Sequence, residues 1–527
     1  MNKFSEQSTV SRRGALAGAT LLGLGGAVSL SGIAATPAAA SPLLLQRPER
    51  SGAPRVAGLH LQFGSDASSE VVISWHTTTS VANPRVIYGS SSSGFGRTEQ
   101  ASTSTYRDGK SGTEVQVHHA RLTGLRADTD YVYAAVHDGA TPALGTVRTA
   151  PRGRAAAFTF TSFGDQGTPT LGRKASGGYV NDNLGSPAAG DTTAGVERIA
   201  PLFHLVNGDL CYANMATDRI RTWSDWFENN SRSARHRPWM PAAGNHENER
   251  GNGPIGYRAY QTYFDLPASG SDEELRGLWY AFTAGAVRVI SLNNDDVAYQ
   301  DGGSTYVRGY SGGAQQRWLE RELAAADADP EIDWIVVCMH HTVISTADKF
   351  NGADLGVREA WVPLFDKYGV DLVVCGHEHH YERSHPIRGQ QPTDTRTPIP
   401  VATATATDTI DTTKGTVHMV IGSGGSSAAS TSFFTPAKAR VITGVGKATT
   451  GQRPAKYVVE DAPWSAFRAA NSPYGFAAFE VDPGQRDGLT TIAVTYYSVS
   501  GPYGDLVPVD RFTLTRPQGA RGGGGRP

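Results

Sequence analysis

The chain has 527 residues, with 48 Lys and Arg against 50 Asp and Glu and a formal net charge of -2. That length is too great for one compact core and implies two or three domains. The near-neutral balance excludes a broad basic face for nucleic acid or anionic lipid, so any recognition of anions is local.

The first segment, SRRGALAGATLLGLGGAVSLSGIAATPAAAS, opens on Ser11, Arg12 and Arg13, continues as a Gly/Ala-rich apolar stretch and reaches small residues at Ala38, Ala39 and Ala40. It resembles a twin-arginine (Tat) export signal with its cleavage site, which would make residues 1–40 a removable leader and the protein secreted, extracellular or periplasmic. No later segment has the uninterrupted apolar length of a membrane span, so the mature protein is expected to be soluble. Three cysteines, Cys211, Cys338 and Cys375, lie inside apolar runs. They read as small buried hydrophobes, with a Cys338–Cys375 bridge left open.

Residues 53–150 contain short alternating runs such as EVVISWHT, EVQVHHARL and DYVYAAV between Gly, Ser, Asn and Asp clusters. This is the pattern of a small β-sandwich. With Trp75 in one run and Tyr131 at a corner in LTGLRADTDYVY, it resembles a fibronectin type III domain. His118 and His119 are assigned to exposed strand positions, and APRGR at 150–154 to a linker.

From 155 to 516 strands alternate with amphipathic helices. AFTFTSFGD reads as a strand and GVERIAPLFHLVNGD as a helix entering one. AQQRWLERELAAADADPEIDWIVVCMHH repeats that plan, with Trp318, Leu319, Glu322, Leu323 and Ala326 at helical spacing and Pro330 beyond the stop. VREAWVPLFDKYGVDLVVCGHEHH repeats it again, with Gly369 as the helix C-cap. The fold class is therefore multidomain, an all-β sandwich followed by a layered α/β sandwich. Residues 397–415 read as an exposed loop, GTVHMVIGSGG, YGFAAFEVD, LTTIAVTYYSV and VDRFTLT as late strands, and 517–527 as a disordered Gly-rich tail.

The chemistry lies where the apolar runs stop. FTSFGDQG ends on Asp165, HLVNGDLCY supplies Asp209 and Tyr212, MPAAGNHE supplies Asn245 and His246, VVCMHH supplies His340 and His341, and VVCGHEHH supplies His377 and His379. In an α/β sheet the C-terminal strand ends share one rim, so these side chains converge although they are far apart in sequence. The donors exceed the needs of one ion, and two adjacent ions bridged by a carboxylate, with Asp209 in that place, are the natural occupancy.

GDQG, GDLCY, GNHE, VCMH and GHEH, in this order, resemble the signature blocks of the calcineurin-like metallophosphoesterases, and GDLCY and GHEHHYERS those of the purple acid phosphatases. The resemblance implies a four-layer metallophosphoesterase sandwich that hydrolyses phosphate monoesters of small molecules. By the same resemblance a first ion is held by Asp165, Asp209, Tyr212 and His379, and a second by Asp209, Asn245, His340 and His377. The first set is anionic and includes a phenol, suiting Fe3+; the second suits Zn2+, Fe2+ or Mn2+. In-line attack by a metal-activated hydroxide would follow, with His246 stabilising the phosphoryl charge or protonating the leaving oxygen. Residues 342–376 contain no histidine, unlike plant-type enzymes, which leaves His341 as the nearby substitute. A phosphodiesterase with the same ions is the alternative. Glu378 is expected to point away into solvent or to orient a ligand, and His377 and His379 to alternate along an extended segment.

Overall fold

The computed structural model describes residues 52–169, 184–300, 305–392, 396–448, 453–471, 473–501 and 506–521. The predicted leader at 1–40 lies outside the described residues, as do 522–527 of the predicted tail. Among the described residues no helix is long and apolar enough to cross a membrane.

The N-terminal domain is two antiparallel four-stranded sheets, Ala57–Phe63, Val71–Thr77, Glu114–Leu122 and Ser102–Arg107 in one and Arg97–Gln100, Arg85–Ser90, Asp130–Val136 and Ala143–Arg148 in the other. Trp75 is fully buried between them, and the Tyr131 hydroxyl accepts the Arg126 N–H at 2.8 Å, which is the corner the sequence anticipates. Every residue of Val71–Thr77 is buried, where a half-solvated strand would alternate. The second face is covered by the following domain: the His60 ring stacks on Phe227 at 4.4 Å, and His119 Nε2–H donates to the Thr262 carbonyl at 3.0 Å. His119 is for this reason buried rather than exposed, and His118, on the opposite face of the strand, is buried inside the sandwich against the Trp75 ring at 5.2 Å.

The second domain holds two mixed seven-stranded sheets. One runs Trp239–Ala242, Phe203–Asn207, Phe158–Phe163, Gly475–Asp482, Leu489–Ser498, Val507–Pro517, Thr409–Asp411; the other runs Tyr280–Ala284, Val287–Ser291, Trp334–Cys338, Leu372–Cys375, Val417–Ile421, Tyr381–Ser384, Ser465–Arg468. Phe158–Phe163, Phe203–Asn207 and Trp239–Ala242 are parallel, as are Trp334–Cys338 and Leu372–Cys375. These two parallel groups face each other across the core, where the Cys338 thiol donates to Asn207 Oδ1 at 3.2 Å and Asn207 Nδ2 to the Cys375 carbonyl at 3.3 Å. Facing sheets with their parallel strands opposed bring five strand ends to one place. Cys211, Cys338 and Cys375 are free and buried, so no bridge forms.

The helices read from periodicity are present. Ala314–Ala328 buries Trp318, Leu319, Leu323 and Ala326 and stops before Pro330. Leu355–Tyr368 is capped by the Asp354 carboxylate, which accepts the Gly356 N–H at 2.8 Å, and by Gly369 at φ 59°. Other expectations change. APRGR is an anchored connection, with Arg154 donating twice to Asp333 at 2.8 Å. The 397–415 stretch contains strands Pro400–Ala402 and Thr409–Asp411 with Ile410 buried, because it closes the far edge of the first sheet. The tail is not loose through 521: Gly519 N–H donates to Asp333 Oδ1 at 2.8 Å and Arg521 is buried against Asp371.

Candidate metal centre

Three of the five turns that leave these strands are conformationally costly. Nine non-glycine residues among those described have positive φ, and Asp165, Asp209, Tyr212 and His377 are four of them, at 56°, 51°, 58° and 70°. Such backbone persists where the surroundings over-determine it. The adjoining glycines are needed for close approach: a Cβ on Gly208 would lie 2.6 Å from His340 Nδ1, and one on Gly376 2.3 Å from Asp165 Oδ2. The left-handed turn at His377 also means that 376–380 is not the extended segment expected. His377 and His379 nevertheless reach different partners.

The structure brings all seven expected donors together. In one group Asp165 Oδ1 is 3.2 Å from His379 Nε2 and 3.4 Å from the Tyr212 hydroxyl, which is 3.2 Å from His379 Nε2. In the other, His340 Nε2 is 3.2 Å from Asp209 Oδ2, 3.0 Å from Asn245 Oδ1 and 3.1 Å from His377 Nδ1. The donor atoms of Asp209, His340 and His377 all lie within 4.8 Å of one another, a group that can hold a metal ion. The two groups join where the His377 N–H donates to Asp165 Oδ2 at 2.7 Å.

Each imidazole is oriented by a carbonyl behind it. His340 Nδ1–H donates to the Asn207 carbonyl at 2.8 Å, His379 Nδ1–H to the Ala428 carbonyl at 2.8 Å and His377 Nε2–H to Gln300 Oε1 at 2.6 Å. Gln300 is itself turned by its Nε2–H bond to Asn351 Oδ1 at 2.9 Å. The inward nitrogens therefore carry lone pairs, and those of His340 and His377 face Asp209 and Asn245 oxygens with no hydrogen to share. Only a cation satisfies that arrangement. Burial opposes charge on His340, but Asp209 and Asp165 outweigh it and push its pKa up to about 10. The donors thus fit a bound metal, which would take the place of that proton. Burial, then Asp165 and Asp209, drive the Tyr212 hydroxyl well above its ordinary value, so a phenolate there requires a strongly charged partner.

Glu247 accepts the N–H groups of Asp209, Leu210 and Gly244 at 2.9, 2.8 and 2.8 Å and so pins both turns. Its place in GNHE, directly behind two expected site residues, was a usable signal, as was Asn207 before GD. Gln300 had none, since it lies in a loop whose position depends on the stacked sheets. Replacing Gln300 with alanine frees the His377 ring and is expected to weaken metal affinity about 10- to 100-fold, measured by competition with a chelator.

His246 is partly exposed, its ring 4.5 Å from Tyr212, its N–H donating to Asp209 Oδ1 at 2.8 Å and its Nε2 3.9 Å from Asp209 Oδ2. Its Nδ1–H donates to Asn214 Oδ1 at 2.9 Å, another contact not anticipated. His341 is placed otherwise than expected: it is fully buried, packed behind the His377 ring at 4.2 Å, and burial, reinforced by His340, lowers its pKa to about 3. Enclosed there, it forms a wall of the site behind the His377 ring. Glu378 likewise is buried, accepting the Gly352 N–H, and is not solvated. Phe350, with φ 86°, lays its ring 4.7 Å from His379.

Two family models match the chain: the purple acid phosphatase N-terminal domain over residues 56–161 and the calcineurin-like phosphoesterases over 190–381. An uncharacterized protein of Mycobacterium tuberculosis is 67% identical over 473 residues, which is 89% of this chain and 89% of the relative. The Fe(3+)-Zn(2+) purple acid phosphatase 12 of Arabidopsis thaliana is 27% identical over 339 residues, 62% of this chain and 65% of its own. Among solved structures, a purple acid phosphatase from yellow lupin (Lupinus luteus) seeds superposes with a TM-score of 0.64 at 21% identity, covering 88% of this chain and 75% of that one, and so shares the fold.

Proposed function

The chain belongs to the purple acid phosphatase family of calcineurin-like phosphoesterases and is a phosphatase, and from that premise we propose that it is an exported enzyme that hydrolyses small phosphate monoesters at a two-metal centre. The observation that carries this reading is the pair of donor groups joined through Asp165 and His377, each with its hydrogens turned outward. Asp165, Tyr212 and His379 would hold the first ion, Asn245, His340 and His377 the second, and Asp209 both. When bound, the two ions supply Lewis-acid activation of water and neutralise charge on the phosphoryl group.

The chain's own residues do the rest. Asp209 is anchored by the His246 N–H, and Glu247 fixes its backbone, so its carboxylate stays between the groups. His246, with Nδ1–H committed to Asn214, presents Nε2 beside Asp209, placed to contact a phosphoryl oxygen or the leaving oxygen. The name of the Arabidopsis relative, together with the phenol in the first group, supports Fe3+ there and a divalent ion, Zn2+, Fe2+ or Mn2+, in the second.

A ferric phenolate absorbs visible light. The purified metal-loaded protein should therefore show a charge-transfer band that Tyr212→Phe bleaches; a band that survives removes Tyr212 from the ligand set. The reaction class is tested by comparing p-nitrophenyl phosphate with its bis-ester. A higher kcat/KM for the monoester is expected, and the reverse would make the protein a phosphodiesterase. Export is supported by the Arg12–Arg13 leader. Changing both arginines to lysine should strand the enzyme inside the cell.

A further inference from the structure

The β-sandwich carries none of the proposed ligands, yet one of its turns is wedged between the two loops that lead from them. The hairpin between Ser102–Arg107 and Glu114–Leu122 places Asp108, Gly109 and Lys110 against the second domain. Asp108, buried and held by the Ser111 N–H and hydroxyl at 2.8 Å, accepts from Arg219 Nη1 at 3.2 Å. Lys110 Nζ donates to the Ala216 carbonyl at 2.7 Å. Both partners lie just beyond Tyr212. On the other side, the Gly109 N–H donates to Asn252 Oδ1 at 2.7 Å, and Asn252 Nδ2 to Glu249 Oε2 at 2.6 Å, just beyond Asn245 and His246. The contact is tight enough that a Cβ on Gly109 would lie 2.3 Å from the Gly251 carbonyl oxygen.

What the two loops share is the bond between His246 Nδ1–H and Asn214 Oδ1. Asn214 sits in the short helical turn Ala213–Met215, closed by the Ala216 N–H donating to the Ala213 carbonyl at 3.0 Å, and Ala216 is the residue Lys110 holds. We infer that the sandwich hairpin Asp108–Lys110 is a clasp that sets the spacing of the two loops and thereby positions His246 for the reaction. Gly109 and Lys110 are then positioning residues acting through Asn214, and the sandwich is a working part of the active site. This inference rests on the role given to His246 above.

The test uses the full-length, metal-loaded enzyme with Gly109→Ala, a wedge in the clasp, and Lys110→Met, a surface change that removes one bond, each in the native and the His246→Ala background. In the native background kcat for p-nitrophenyl phosphate should fall roughly tenfold or more, as expected when a catalytic group is displaced by a fraction of an ångström to an ångström. KM and metal content should not change, and Lys110→Arg should retain most of the rate. In the His246→Ala background the same changes should cost nothing further. An unchanged kcat, or an equal loss in both backgrounds, overturns the inference. Should His246→Ala itself prove harmless, the role of His246 is wrong, and amide exchange decides the clasp separately: faster exchange over 212–216 in Gly109→Ala upholds it, and native exchange ends it.

Discussion

Asp209→Asn is expected to lower kcat by about three orders of magnitude or more while the protein remains folded. The change is isosteric and keeps an oxygen for the His246 N–H, now 2.8 Å from Oδ1, so packing and the adjoining turn are spared. What is lost is charge. Asp209 is buried, yet His340 and His246 hold its carboxyl well below the ordinary range, and it is in turn the foremost group that raises His340 against burial. An amide in that place leaves inward lone pairs without the anion that would make a cation welcome. Metal content should drop along with turnover, read by elemental analysis, while the thermal midpoint of the metal-free protein stays near that of the native chain.

Asp371→Ala is expected to have the largest effect on stability, about 3–5 kcal/mol by denaturant unfolding, because it removes the buried carboxylate partner of Arg516 and one of the two carboxylates that hold Arg521. Arg516 Nη1 donates to Asp371 Oδ1 at 2.6 Å, the Thr412 hydroxyl to the same oxygen at 2.7 Å and the Ile335 N–H to Oδ2 at 2.8 Å, while Arg521 closes the group from the C-terminal end. One carboxylate thus ties the strand Trp334–Cys338, which delivers His340, to the strand Val507–Pro517 of the opposite sheet. Burial works to raise the Asp371 pKa, but Arg516 and Arg521 overcome it and depress the value. The sign follows: the group's contribution is full above the unfolded-state value near 3.9 and is lost as pH falls from there toward the depressed folded value. The native protein should lose stability in that acid window, and the variant should show a shallower decline there.

Much of the centre was legible because buried parallel strands read as apolar runs, and their ends as the polar residues that stop them. Asp165, Asp209, Asn245, His340, His377 and His379 were visible on that ground, and Tyr212 through its spacing from Asp209. The residues that were not visible depend on how separate pieces stack. Gln300 and Asn214 sit in loops that reach His377 and His246 only once the domain is assembled. His341 adjoins a ligand in sequence, but a neighbouring side chain points elsewhere, here into the packing behind His377. An extended 377–379 would turn Glu378 into solvent or toward a ligand, and the left-handed turn at His377 removes that geometry and leaves the carboxylate buried. His118 and His119 lie on opposite faces of one strand, so that His118 enters the sandwich beside Trp75 and His119 lies under the second domain, which covers the outer face. The last residues looked disordered by composition, yet one arginine with a buried carboxylate partner holds the chain down through 521.

The most direct measurement is the number of metal ions in the purified full-length protein and in its Asp165→Asn and His340→Ala variants. Two ions per chain in the native protein are expected, with each variant reduced to one or none. A native protein that holds fewer than two ions at full activity, or variants that keep both, would contradict the two-metal centre.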